Sequence, residues 1–178
     1  MLDKLYITPR QWLHILRWSL YSLLFLLAMM TQTVVLGNRP IFGIIPDFIP
    51  IVITCVCVKE GPQKGGWFAL LTSLVWFLSG ADYGSVSIAI LTVLPVMGSI
   101  VCRSLLNSRF LPCLLVNFLT LFLLHSIIFF LKFLINDMDS ALFVQKLLPC
   151  VLISMIAQPV VYLLVKKIHQ IGDNYEPA

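Results

Sequence analysis

The sequence predicts an all-α integral membrane protein, a single polytopic domain folded as a bundle of six transmembrane helices. Three observations carry that expectation. Hydrophobic residues make up 60% of the 178 and charged residues only 11%, against roughly 25% charged in a soluble domain. The mean hydropathy is +0.98, so a water-soluble fold of this length could not hide its apolar surface. The apolar residues also fall into six runs, 18–36, 41–58, 66–80, 85–102, 110–134 and 147–165, and a bilayer core about 30 Å thick asks for around 20 residues of helix.

The first run is expected to begin as helix before the membrane. Thr8 is a suitable N-cap, Pro9 suits the first helical position and Gln11 completes a capping box. His14, Arg17 and Trp18 mark the interface, and Gly37-Asn38-Arg39-Pro40 reads as the closing turn. Met29-Met30-Thr31-Gln32 offers no small-residue cleavage site after this run, so the first span is expected to remain in the protein.

The second run is broken by Pro46-Asp47-Phe48-Ile49-Pro50. A residue before proline is pushed out of the helical region. Asp47 is expected to cap a helix starting at Phe48, with Pro50 tolerated in its first turn. Such a helix is too short to cross the core alone, and irregular backbone at membrane depth must be covered by protein. This run is therefore expected inside the bundle.

The third run closes on Leu78-Ser79-Gly80-Ala81-Asp82-Tyr83-Gly84, a tight turn. The fourth carries Pro95 as a kink, and the fifth is long enough to tilt, with Lys132 snorkelling near its end. Connections are short and no internal repeat or soluble domain is visible.

Charge sets the orientation. With six spans, one side collects Lys4, Arg10, Arg17, Lys59, Lys64, Arg103, Arg109, Lys166 and Lys167, nine in all, and the other Arg39, Lys132 and Lys146, three. Short cytoplasmic loops carry the excess of Lys and Arg, so both termini are expected in the cytoplasm. Basic residues spread along membrane borders argue against a nucleic-acid partner.

The polar residues inside the runs are Thr31, Gln32, Asp47, Thr54, Asn117, His125 and Gln158. They form no His-x-x-x-His, glutamate pair or Gly-x-Ser-x-Gly, and the stretch from Gly61 to Gly66 lacks the phosphate-loop order. Cys55, Cys57, Cys102, Cys113 and Cys150 sit in or beside apolar runs as small hydrophobes, and Cys55-Val-Cys57 is not a CxxC pair. No catalytic, cofactor or metal residue is expected. Asp47 reads as a cap near the outer interface with Arg39 as a partner, or alternatively as a binding or coupling carboxylate. His125, Asn117 and Gln158 read as hydrogen-bond bridges between helices. An intramembrane enzyme would need catalytic-type residues sharing one cavity, and Asp47 within reach of His125 would be the sign of it.

Pro46-Asp47-Phe48 opening a span, Lys59-Glu60-Gly61, Gly65-Gly66-Trp67-Phe68 opening the next, then Leu78-Ser79-Gly80 and Gly84 resemble the rod shape-determining protein MreD family. The sharp part of the likeness covers 46–84, and the length and short tails also fit. Where the family usually has an acidic residue before Leu-x-Ser-Gly, this chain has Trp76. The resemblance implies a non-enzymatic scaffold of the bacterial cytoplasmic membrane, acting in peptidoglycan synthesis and cell shape as part of the elongasome. Its implied partners are an MreC-like protein, the MreB-type cytoskeleton, a RodA-type glycosyltransferase and a class B penicillin-binding protein. Pro46, Asp47, Pro50, Gly66, Gly80 and Gly84 are the implied structural hallmarks. The family fold is similar to the substrate-binding subunits of energy-coupling-factor vitamin transporters, which is the alternative reading. Those subunits commonly dock through Ala-x-x-x-Ala faces, and this chain has none.

Overall fold

A computed structural model describes residues 9–38, 44–80, 85–105, 110–136 and 140–173. The described chain forms six helical rods. Helix α1 runs over Pro9–Met30 and continues through a π-helical turn, Thr31–Val35, into a last turn, Leu36–Asn38; α2 is Ile49–Glu60, α3 Pro62–Leu78, α4 Val86–Leu105, α5 Phe110–Asn136 and α6 Ser140–Asp173. Four stretches, Gln11–Asn38, Val86–Ser104, Phe110–Leu131 and Leu147–Ile171, are long and apolar enough to cross a membrane. The protein is thus an all-helical, multi-pass membrane protein. Helices α2 and α3, with 12 and 17 residues, are shorter.

The core is α2. All ten residues from Ile49 to Val58 are buried, on every face of the helix. A helix apolar all round belongs inside a fold, and an apolar stretch of 10–14 residues is the length of a core helix rather than a full span. The expectation that this run packs inside the bundle holds. Helix α2 packs against each of the other five. Around it, α3 touches α4, α4 touches α5, α5 touches α6 and α6 touches α1. The circle is loosest between α1 and α3, where a cavity of about 580 Å³ is lined by Trp18, Phe25, Lys64, Trp67, Phe68 and Val75 among others.

The join between α2 and α3 departs from the sequence reading. Residues 59–65 read as a polar loop and α3 as beginning at Gly66. Instead α2 continues to Glu60, and α3 starts at Pro62 after a single residue, Gly61. Gly61 has φ of 93°, a conformation that is cheap only for glycine. Pro62 opens the next helix at a position whose N–H would be unpaired anyway. Gly65 then lets the two helices meet, since a Cβ there would lie 2.5 Å from the Cys57 Cα. Gly66 lies early in α3, half-buried, rather than at its opening.

Other boundaries moved by shorter distances. Gly37 and Asn38 end α1 as helix rather than turn, and α6 starts at Ser140, before the expected 147. Pro95 lies within α4, and Pro149 and Pro159 lie within α6. Gly80 follows the Ser79 cap of α3 with φ of 84°, as the expected turn requires. Thr8, Arg39, Asp82, Gly84 and Arg109, and the side chains of Arg10, Lys132 and Lys146, lie outside the described residues.

Candidate functional site

The most concentrated polar chemistry surrounds Asp47, at the start of α2. The approach segment 44–48 lies outside the helix, and it is covered: Pro46 and Asp47 are both buried, Asp47 to 2% exposure. The expected helix cap is not what the carboxylate does. The helix begins at Ile49 with Phe48 in the cap position, and the cap residue's own side chain makes no cap hydrogen bond. Asp47 instead turns towards α1 and α5. Gln32 Nε2 donates to Asp47 Oδ1 at 2.6 Å, and His125 Nε2 lies 3.2 Å from Asp47 Oδ2. Burial explains the change, because a cap supplies neighbouring amides only, whereas distant helices supply a stronger set of donors to a carboxylate held away from water.

Gln32 does the capping from another helix. Its Oε1 accepts the Phe48 N–H at 3.0 Å while its Nε2 serves Asp47. The π-turn Thr31–Val35 contains this residue, and among its five residues Gln32 is the buried one. A π-turn rotates the chain relative to regular helix, and Thr31 and Thr33 Oγ1 bond back to the Leu27 and Met29 carbonyls at 2.7 and 2.8 Å.

Helix α6 completes the site. Ser154 Oγ accepts the Asp47 N–H at 2.9 Å and donates to the Cys150 carbonyl at 2.7 Å. Cys150 Sγ donates to the Ile45 carbonyl at 3.4 Å and lies 3.3 Å from His125 Nε2. One donor atom each from Asp47, His125 and Cys150 therefore falls within a sphere where all three lie within 4.8 Å of one another. Among the described residues, these three have the donor set and spacing to hold a metal ion.

A second cluster lies at the opposite end of α2. Glu60 Oε1 accepts hydrogen bonds from Arg17 Nε at 2.6 Å and Tyr21 OH at 2.7 Å, and His169 Nδ1 approaches it at 3.0 Å. Arg17 Nη2 pairs with the same oxygen. Burial alone would push the Glu60 carboxyl up, but the hydrogen bonds from His169, Arg17 and Tyr21, with the Arg17 charge, hold it down at about 2. Arg103 Nη2 donates to the Lys59 carbonyl at 2.6 Å, and Lys59 Nζ stands 4.8 Å over the Tyr162 ring. The clamp gathers α1, α2, α4 and α6.

Asn117 and Gln158 form the bridge expected of them: Asn117 Nδ2 donates to Gln158 Oε1 at 3.0 Å, joining α5 to α6. Asn117 Oδ1 and Thr54 Oγ1 have no hydrogen-bond partner among the described residues. His125 is read from sequence as a bridge between helices; it reaches Asp47, 78 positions away, which is the contact named above as the sign of catalytic-type residues meeting.

Of the implied hallmarks, Pro46, Asp47 and Pro50 come together at the head of α2, while Gly66 and Gly80 lie near the two ends of α3 and are not part of this site. Ser154, Tyr21 and His169 were not singled out from sequence; Cys150 was read only as a small hydrophobe, and Glu60 only as part of the Lys59-Glu60-Gly61 stretch. An all-helical, multi-pass membrane bundle with a polar cluster at each end of a buried central helix is the class these observations define. No protein-family model, curated protein or solved structure matches the chain.

Proposed function

We propose that the protein is a non-enzymatic scaffold of the bacterial cytoplasmic membrane, with six spans and both termini cytoplasmic, serving the cell-wall elongation machinery in the manner of the MreD family. The observation that carries this reading is the engagement of the deep polar groups with one another. Asp47, Gln32 and His125 bind each other, and Asn117 binds Gln158. The large cavity is lined by a different and mainly apolar set. Asp47 and His125 do meet, but at 2% and 14% side-chain exposure they do not open onto that cavity. What the bundle offers outward is apolar helix surface, including exposed Leu111, Leu115, Leu119 and Phe122 on α5 and Ile156, Val160 and Leu163 on α6, surface that lipid or a partner's helix can cover.

Six spans require α2 and α3 to cross. Helix α3 is about 26 Å long at 1.5 Å per residue, and α2 is preceded by the non-helical segment 44–48. The gathering of Arg17, Lys59 and Arg103 at the Glu60 end supports counting them on one side, as the cytoplasmic assignment of both termini needs.

The test is recovery of tagged protein from mild detergent, with mass spectrometry of what accompanies it. An MreC-like protein together with a RodA-type glycosyltransferase and its penicillin-binding partner is the expected result. Recovery of paired ATPases with a membrane coupling subunit would replace the scaffold by the transporter-subunit reading.

A further inference from the structure

We infer that Asp47, His125 and Cys150 form a binding site for a divalent transition-metal ion, zinc by its donor set, that fastens the broken approach to α2 against α5 and α6. The donors come from three elements far apart in sequence and meet through one carboxylate oxygen, one imidazole nitrogen and one thiol sulfur. Zinc bonds to such atoms at about 2.0–2.3 Å in tetrahedral geometry, which spaces neighbouring donors about 3.3–3.6 Å apart. His125 Nε2 already lies 3.2 Å from Asp47 Oδ2 and 3.3 Å from Cys150 Sγ. The remaining pair, carboxylate to sulfur, is within 4.8 Å and would have to draw together for tetrahedral coordination.

The surroundings also fit. A ligating carboxylate is usually oriented by a hydrogen bond to its other oxygen. Gln32 supplies one to Oδ1, leaving Oδ2 directed at His125. Ser154 pins the Asp47 backbone from α6. A fourth ligand would come from water or from the Ile45 carbonyl, which lies 3.4 Å from the sulfur. Sulfur and nitrogen among few oxygens disfavour magnesium and calcium.

The charges balance. Binding removes the thiol proton of Cys150 to solvent and shifts the His125 proton from Nε2 to Nδ1. A dication, one thiolate, one carboxylate and a neutral imidazole then sum to zero, the arrangement least costly away from water. This site is compatible with a scaffold and with a transporter subunit alike.

Purified protein loaded with Zn2+, desalted and assayed by plasma mass spectrometry is expected to retain about one ion per chain, with a raised unfolding temperature. Co2+ in its place is expected to give a thiolate-to-cobalt absorption band. Cys150→Ser abolishes that band, Gln32→Leu weakens Zn2+ affinity about tenfold, and Cys113→Ser, at the separate Cys55–Cys113 contact of 3.8 Å, leaves it intact. Zinc X-ray absorption on the unaltered protein needs no variant to fold, and is expected to show one sulfur with nitrogen and oxygen neighbours. No retained zinc, a cobalt band surviving in Cys150→Ser, or a zinc shell with no sulfur or more than one would overturn the inference.

Discussion

Glu60 and Asp47 are both buried carboxylates, one ending α2 and the other just ahead of it, and each draws partners from distant helices. They differ in what those partners are. Glu60 faces a guanidinium that cannot lose its proton, with a phenol and an imidazole beside it, all directed at one oxygen. Asp47 faces an amide, an imidazole and, next to that, a thiol. The first set is a fixed charge pair whose removal leaves a buried cation. The second holds protons that a metal ion can replace. The same residue class thus closes one end of the central helix permanently and leaves the other end responsive to its surroundings.

Breaking the Glu60 clamp should have the largest effect. Glu60→Gln removes the carboxylate on which Arg17, Tyr21 and His169 converge, and stability is expected to fall by about 3–5 kcal/mol, read as a lowered unfolding midpoint in detergent. A loss under about 1 kcal/mol would mean the clamp is solvated in the membrane-bound protein. Next comes Gln32→Leu, which strips Asp47 Oδ1 and the Phe48 N–H of their partner together. An expected cost of about 1–3 kcal/mol follows from the two hydrogen bonds lost at a buried position, and the same unfolding assay measures it.

Acid sharpens the contrast. Because the folded Glu60 value, about 2, lies below the unfolded value of about 4.3, its stabilisation is complete above the unfolded value. It is lost as pH falls through the folded one. Unfolding midpoints between pH 5 and 2 should therefore drop in the natural protein and drop less steeply in Glu60→Gln. The smallest effect belongs to the Asn117–Gln158 bridge. One Asn117 oxygen already has no partner among the described residues, so Asn117→Leu is expected to cost about 0.6 kcal/mol, measured by the same midpoint shift.

The long runs were legible because length and apolarity are one-dimensional signals. The fourth, fifth and sixth runs each appear as one helix, and the proline-broken second run announced a covered core element. The join at Gly61 was not legible. A stretch such as Lys59-Glu60-Gly61-Pro62-Gln63-Lys64-Gly65-Gly66 looks like a loop, yet one left-handed glycine suffices to turn the chain, and the remaining glycines serve close packing. Asp47 was recognised as important, but the cap read from its neighbours does not form, and Gln32 and His125 reach it only through folding; the Arg39 pairing lies outside the described residues. The Glu60–His169 contact spans 109 positions, and nothing near either residue hints at the other. For the same reason a spacing test for metal ligands could not find three donors placed on a non-helical segment and two separate helices.

The single-residue link between α2 and α3 bears on how the chain enters the bilayer. A 12-residue helix, headed by a buried carboxylate, is a poor candidate for insertion alone. Joined at Gly61 to the apolar α3, it can be delivered as half of a helical hairpin, with its charged head shielded once Gln32 of the preceding α1 is in place. Biogenesis would then proceed by pairs rather than by single spans, and a change that lengthens or stiffens that one-residue hinge would act during synthesis, before any partner or ion could compensate.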